Sequence, residues 1–343
     1  MKNATTTLVV LFFLIGYTIN NAAFSQADNT TELELTQIDS KEYKFLHFKG
    51  FEAKIEMELS VEGLKELKME SGAGKVIIEP SNSGKIEVNA HVIISAKNQR
   101  KAEFIAKEHL QLSLGRHGNM AMLMSIFDFE KRKNVKEQVV NPEGFFTSPV
   151  RKVDLVVKVP SDLFLSVTDH SGDLFLQKLN NDAKVNDYSG YLELNEVNGD
   201  LSIYDSSGDL KLVNVNKGYI QNRVKIDDNS GLVTLHGVGG NIFLNDASGD
   251  IEVKNIHGSL EIDDTSGAIW ISKVVGDFKV DDTSGEIVSN YIDGNVTIDD
   301  TSGDIYFDGV TKNIYISSNG SGQLSVKNLE GRISGDLKRL NRL

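Results

Sequence analysis

Ser-Gly-Asp-Ile-Glu-Val-Lys-Asn-Ile (248–256), continued by His-Gly-Ser-Leu-Glu-Ile-Asp-Asp-Thr (257–265), is one copy of a unit that recurs along this chain. Each nine-residue half holds a turn glycine followed by an apolar–polar–apolar run. Alternation at period two places Ile251 and Val253 on one face of a strand and Glu252 on the other. Leu260, Glu261 and Ile262 repeat this in the second half. No run between the glycines is long or periodic enough for a helix.

Working outward, the same Ser-Gly pair returns at Gly172, Gly190, Gly208, Gly231, Gly249, Gly267, Gly285, Gly303 and Gly322, in steps of 18, 18, 23, 18, 18, 18, 18 and 19 residues. A fixed step of this size marks a stacked repeat. Hairpins or propeller blades would reverse direction at each turn and would not need one motif at every second turn. Parallel stacking puts Ile on Ile and Gly on Gly, which explains the in-register recurrence. The expected fold is therefore all-β: a parallel β-solenoid of 18-residue coils, each made of two nonapeptide halves. About nine coils are expected over residues 161–343, closed by the basic tail Lys-Arg-Leu-Asn-Arg-Leu (338–343) as an end cap. At about 4.8 Å per stacked strand, nine coils span on the order of 40 Å. One coil alone should not fold, so stability must come from stacking.

Residues 26–160 are less regular and are read as a β-rich region continuous with the solenoid. Ser-Gly-Ala-Gly-Lys-Val-Ile-Ile (71–78) and Ser-Gly-Lys-Ile-Glu-Val (83–88) echo the turn-then-strand pattern. One helix is expected over 97–114, with Ala102, Ile105, Ala106, Leu110 and Leu112 on one face and an end at Gly115. Its expected role is a cap or cover for the solenoid. Residues 120–129, with Met120, Met122, Met124, Phe127 and Phe129, read as a buried strand. Residues 130–150 read as a loop, and Val-Asp-Leu-Val-Val-Lys-Val-Pro (153–160) as the strand feeding the first coil.

The first 25 residues read as a secretory leader: Lys2, an apolar run over 8–17, then Ala22, Ala23 and Ser25. That run is shorter than the roughly 20 residues a spanning helix needs, and no other stretch is long enough, so no integral membrane segment is expected in the mature chain. Cysteine is absent, which excludes disulfides, thiolate chemistry and cysteine-ligated metal. The 343 residues carry a net charge of −13. Residues 26–160 hold 20 basic and 20 acidic side chains, whereas residues 161–343 hold 15 basic and 29 acidic. Excess negative charge in the repeat argues against nucleic acid as a partner and favours cations or basic surfaces. Glycines that punctuate turns between strands do not make a phosphate loop, and the seven histidines show no metal-ligand spacing.

On residues 153–160 and the recurring Ser-Gly-Asp-[Ile/Leu]-x-[Val/Leu] from Ser171, the chain resembles the bacterial "putative adhesin" family of β-strand-repeat domains. The resemblance covers most of the mature chain. It implies a β-helix-like fold and an extracytoplasmic location, periplasmic or at the cell surface, and names no ligand.

Three residues before each repeat glycine stand Asp169, Asp187, Asp205, Asp228, Asp246, Asp264, Asp282 and Asp300, with Asn319 at the ninth. The primary reading is an Asx turn, the carboxylate accepting backbone N–H groups at the bend. Asn319 suits it, because an amide oxygen makes the same bond. Stacked charges repel, by roughly 0.9 kcal/mol at 4.8 Å even in water. Asp228, Asp246, Asp264, Asp282 and Asp300 are therefore also candidates for weak binding of Ca²⁺ or another hard cation. No other cofactor is expected. The Gly-Gly-x-Gly-x-Asp signature of calcium-binding β-rolls is missing. The five extra residues between Gly208 and Gly231 form an insertion in which Tyr219, Gln221 and Arg223 are candidate contacts. Outward Phe175, Trp270 and Tyr306 form a second candidate strip for a protein or glycan partner.

These features point to an exported, non-enzymatic, adhesin-like structural or interaction module presenting an acidic β-solenoid. The alternatives are a β-helix polysaccharide-active enzyme, which would need long groove-forming loops, and a periplasmic envelope-sensing component.

Overall fold

The computed structural model describes residues 33–38, 48–128, 139–140, 146–147 and 149–342. The leader, Phe129, most of the 130–150 loop and Leu343 lie outside the described residues. The chain forms two compact units, Met1–Leu163 with His170–Gly172, and Phe164–Asp169 with Asp173–Leu343.

The first unit is built on long strands. Lys49–Ser60 pairs antiparallel with Lys85–Ala96, which pairs antiparallel with Arg151–Val159. Glu66–Pro80 runs parallel to Met120–Phe127 with its first half and parallel to Arg151–Val159 with its second. The valine-rich strand alternates as its sequence requires: Val153, Leu155, Val157 and Val159 are buried, while Lys152 and Asp154 pair outside at 3.1 Å. The helix is shorter than its sequence pattern suggests, covering Gln99–His109. Asn98 caps it, its side chain accepting the Lys101 N–H at 3.0 Å, an arrangement worth about 1 kcal/mol. Ala102, Ile105, Ala106 and His109 face inward, and the helix packs on Lys85–Ala96 and Leu110–His117 of its own unit.

Residues 110–114 leave the helix because Leu110, Leu112 and Leu114 recur at period two. They form the strand Leu110–His117, a hairpin with Met120–Phe127 that turns at Gly118 with φ +63°. In Met120–Phe127 the buried residues are Ala121, Leu123 and Ser125, and the methionines lie half-buried on the other face. Register decides this: Leu67 and Met69 of the neighbouring strand sit beside Ala121 and Leu123.

The second unit is a parallel β-solenoid. Each coil contributes two short strands, such as Gly249–His257 and Leu260–Asp264, and each pairs in parallel with its counterpart one coil on. Ile251 lies beside Ile269, Ile269 beside Ile287, and Ile287 beside Ile305. Ile251, Val253, Ile256, Leu260 and Ile262 of this coil are all 2% exposed or less. Five such side chains bury roughly 1.5–3 kcal/mol apiece, and each extends a continuous column through the stack. The irregular steps have local explanations. The 19-residue step carries a register shift between Ile298 and Asp299, and the 23-residue step carries the insertion, absorbed without losing register from Val213 to His236.

Two devices hold the bends. At the Ser-Gly corner, a Cβ on Gly267 (φ +150°) would overlap the carbonyl oxygen of Gly249 one coil earlier, so the close approach of stacked backbones requires glycine. The aspartate after the glycine points outward and accepts a bend N–H one coil along, as Asp250 does from Ala268 at 3.0 Å and Asp304 from Gln323 at 2.9 Å. Asp277, Asn295 and Asn313 make the same clip at the opposite corner, from Asn295, Asn313 and Arg332. Buried or crowded backbone N–H groups at bends need such partners.

Candidate functional site

Three features of the solenoid carry chemistry: an interior aspartate column, an outward apolar strip and the insertion. The column begins with local structure. In Asp205, Asp246, Asp264, Asp282 and Asp300 one carboxylate oxygen accepts the N–H two residues on, at 3.0 to 3.1 Å, the Asx turn expected from the sequence. The turn aims the side chain inward. Every aspartate of the column is 2% exposed or less, and Asn319 is 3% exposed. The five cation candidates therefore face the coil interior and not solvent. Among the described residues no three acidic or histidine side chains gather closely enough to hold a metal, since each coil delivers one carboxylate.

The second oxygen of Asp205, Asp246, Asp264, Asp282 and Asp300 is buried and meets no hydrogen-bond donor among the described residues. Burial pushes the Asp187, Asp228 and Asp264 carboxyls up to about 7, aided in each case by the two flanking aspartates of the column. Burial likewise raises Asp205 to about 6, and burial with Asp282 raises Asp300 to about 6. Asp246 and Asp282 rise for the same first reason. Desolvation disfavours the charged form, and a like charge nearby adds to it. The column also corrects the surface charge: with eight aspartates inside, residues 161–343 keep 21 acidic against 15 basic side chains.

The outward strip lies on the strands after the Ser-Gly corner. Trp270 pairs with Val288 and Val288 with Tyr306, so the valine joins two aromatics into three consecutive coils of apolar surface. Trp270 is 38% exposed, and the Tyr306 hydroxyl donates to Asp308 at 3.4 Å. Glu252 precedes Trp270 in the column and Ser325 follows Tyr306. Phe175 stands elsewhere, its ring 5.7 Å from that of Tyr191.

The insertion is anchored by a residue its sequence reading passed over. Asn216 is fully buried; its amide oxygen accepts the Gly199 N–H at 2.8 Å and the Asn222 amide at 2.9 Å, and its amide donates to the Gly199 carbonyl. Arg223 is tied by its backbone N–H to Asp200 at 2.9 Å, with its guanidinium 3.5 Å from the same carboxylate. Tyr219 and Ile220 project, 53% and 54% exposed. Ile220 and Gln221 form one wall of a shallow groove of about 440 Å³, completed by Asn241, His257, Gly258 and Val275. Trp270 and Tyr306 do not line it. An isoleucine in a polar insertion, and the asparagine that opens it, were the signals available in the sequence.

Repeating coils, a sealed interior and side chains displayed in straight outward columns define a parallel β-solenoid scaffold. The chain belongs to the Toastrack DUF4097 family, whose profile matches residues 64–308, in keeping with the β-strand-repeat resemblance. Solved structures that it resembles include a "putative adhesin" from Parabacteroides merdae ATCC 43184, at 15% identity over 82% of this chain and 96% of that chain, TM-score 0.32. Another is a "putative adhesin" from Bacteroides fragilis NCTC 9343, at 14% identity over 82% and 95%, TM-score 0.31. A third is a "putative lipid binding protein" from Parabacteroides distasonis ATCC 8503, at 15% identity over 84% and 96%, TM-score 0.25. No curated protein matches the chain. Among the described residues no helix is long and apolar enough to cross a membrane.

Proposed function

We propose that this chain is an exported, non-enzymatic, adhesin-like interaction module whose solenoid presents a mildly acidic surface to a protein or glycan partner. The observation that carries this reading is the run Trp270–Val288–Tyr306 on consecutive coils. A flat apolar and aromatic strip set among polar columns suits the apolar face of a sugar ring or a protein side chain, since aromatic groups bring large contact area at low entropic cost. The insertion, with Tyr219 and Arg223, is the second contact region. Export rests on the leader pattern in residues 1–25. The reading requires no cofactor.

The test is binding of the purified mature chain to a glycan array and to whole cells, with fractionation of the producing cell. W270S/Y306S should lose at least tenfold in binding while its unfolding midpoint stays put, and Y219S/R223S should lose less. Depolymerisation of any glycan by the parent protein, or full retention of binding by both double variants, would overturn the proposal.

A further inference from the structure

We propose that the interior aspartates form a proton-holding ladder that makes the solenoid more stable in acidic than in neutral surroundings. Asp187, Asp205, Asp228, Asp246, Asp264, Asp282 and Asp300 follow one another in register, one per coil, at the strand spacing of about 4.8 Å. The oxygen that the Asx turn leaves over is buried without a donor among the described residues in Asp205, Asp246, Asp264, Asp282 and Asp300, and at Asp187 and Asp228 the backbone N–H groups of the next two residues act on the carboxyl in the same way. An ionised carboxylate only accepts hydrogen bonds, so a buried file of ionised neighbours leaves the inner oxygens repelled and without a donor from the protein. Protonation turns one oxygen into a donor that the carboxyl of a neighbouring coil can accept from. A single proton then serves two neighbouring carboxyls, as in paired-aspartate sites.

Independent support comes from Asn319. It occupies the ninth place in the column at 3% exposure, and asparagine is the neutral isostere of a protonated aspartate. The charged groups acting most strongly on the column are its own members, with outward Asp209, Asp250, Asp281, Asp299 and Asp304. All are acidic, so none offsets ionisation. Folded Asp187, Asp205, Asp228, Asp264 and Asp300 hold their protons to about pH 6–7, whereas an unfolded aspartate releases its proton near 3.9. Between those limits the folded chain binds more protons. Its stability is therefore greatest below about pH 4 as far as this column is concerned, and falls as pH rises toward 7.

The experiment is a potentiometric titration of the full chain, folded and in urea, from pH 4 to 8. The folded chain should retain about four more protons at pH 6; superimposable curves would overturn the ladder. In parallel, urea midpoints are measured for the parent and for D246N/D264N/D282N at pH 5 and pH 8. The parent should be weaker at pH 8 than at pH 5, and the variant should be flatter with pH and stronger than the parent at pH 8. A parent that gains stability from pH 5 to 8 refutes the proposal. So does millimolar Ca²⁺ raising the parent's pH 8 midpoint and not the variant's, which would mean that the column holds cations in place of protons.

Discussion

Replacing Lys273 by glycine should strengthen the solenoid, although glycine within a strand ordinarily weakens it. Six residues after each repeat glycine the chain turns through a left-handed conformation: Lys178, Glu196, Asn214, Gly237, Asn255, Lys273, Tyr291, Gly309 and Asn328 all have φ between +51° and +78°. This corner turns the following residue inward, as Val274 is after Lys273. An L-residue with an ordinary side chain held there costs about 1–2 kcal/mol, and glycine's greater freedom in the unfolded chain gives back about 0.5–1 kcal/mol of that advantage. Lys273 is exposed, so removing its side chain sacrifices little packing. The net expectation for Lys273→Gly is a gain of about 0.5–1 kcal/mol. Lys273→Asn should gain a similar amount, because asparagine tolerates this region, and Lys273→Val should lose about 1 kcal/mol or more. Urea unfolding reports the difference through the single tryptophan, Trp270, which stands in the same strand Ile269–Val275. A glycine variant less stable than the parent, with the valine variant no worse, would refute the corner's assigned strain.

Three further outcomes follow from the same geometry. Gly267→Ala should cost about 3 kcal/mol or more, combining a disfavoured φ with overlap on the Gly249 carbonyl; an unchanged unfolding midpoint would show that the stack can spread there. Ser289 is fully buried between Ile271 and Phe307, and its hydroxyl meets no partner among the described residues. Ser289→Ala should therefore raise stability by about 1 kcal/mol in thermal unfolding, and a loss would mean that the hydroxyl is satisfied. Asn216→Ala removes three hydrogen bonds and should speed proteolysis within residues 217–222 at least tenfold while the rest of the chain resists; equal cleavage rates would show that the insertion does not depend on its anchor.

The repeat step, the strand phase and the parallel stacking were legible because a solenoid is nearly one-dimensional: each coil meets only its neighbours, so period and alternation specify the packing. The left-handed corner left a readable trace as well, asparagine or glycine at five of its nine positions, although it attracts no notice beside the Ser-Gly pair. The N-terminal region was harder. Lys-Asn-Gln-Arg-Lys-Ala (97–102) opens a helix under any reading, but whether Leu110 and Leu112 continue it depended on the partner strand Met120–Phe127. The inner face of that strand was likewise decided by its neighbour: Ala121 and Leu123 fit beside Leu67 and Met69, where hydrophobicity alone favoured the methionines.

By itself the sequence determined that like residues form columns, that the Ser-Gly corner bends the chain, and that the aspartate before it can bond its own backbone. Those are local or strictly periodic matters, settled within one coil and repeated by translation. Only the tertiary structure decided that the aspartate column lies inside and that Asn216 locks the insertion. The direction a turn aims a side chain, and what stands opposite it, depend on how the coil closes on itself, and an alternating pattern of residues does not specify that closure.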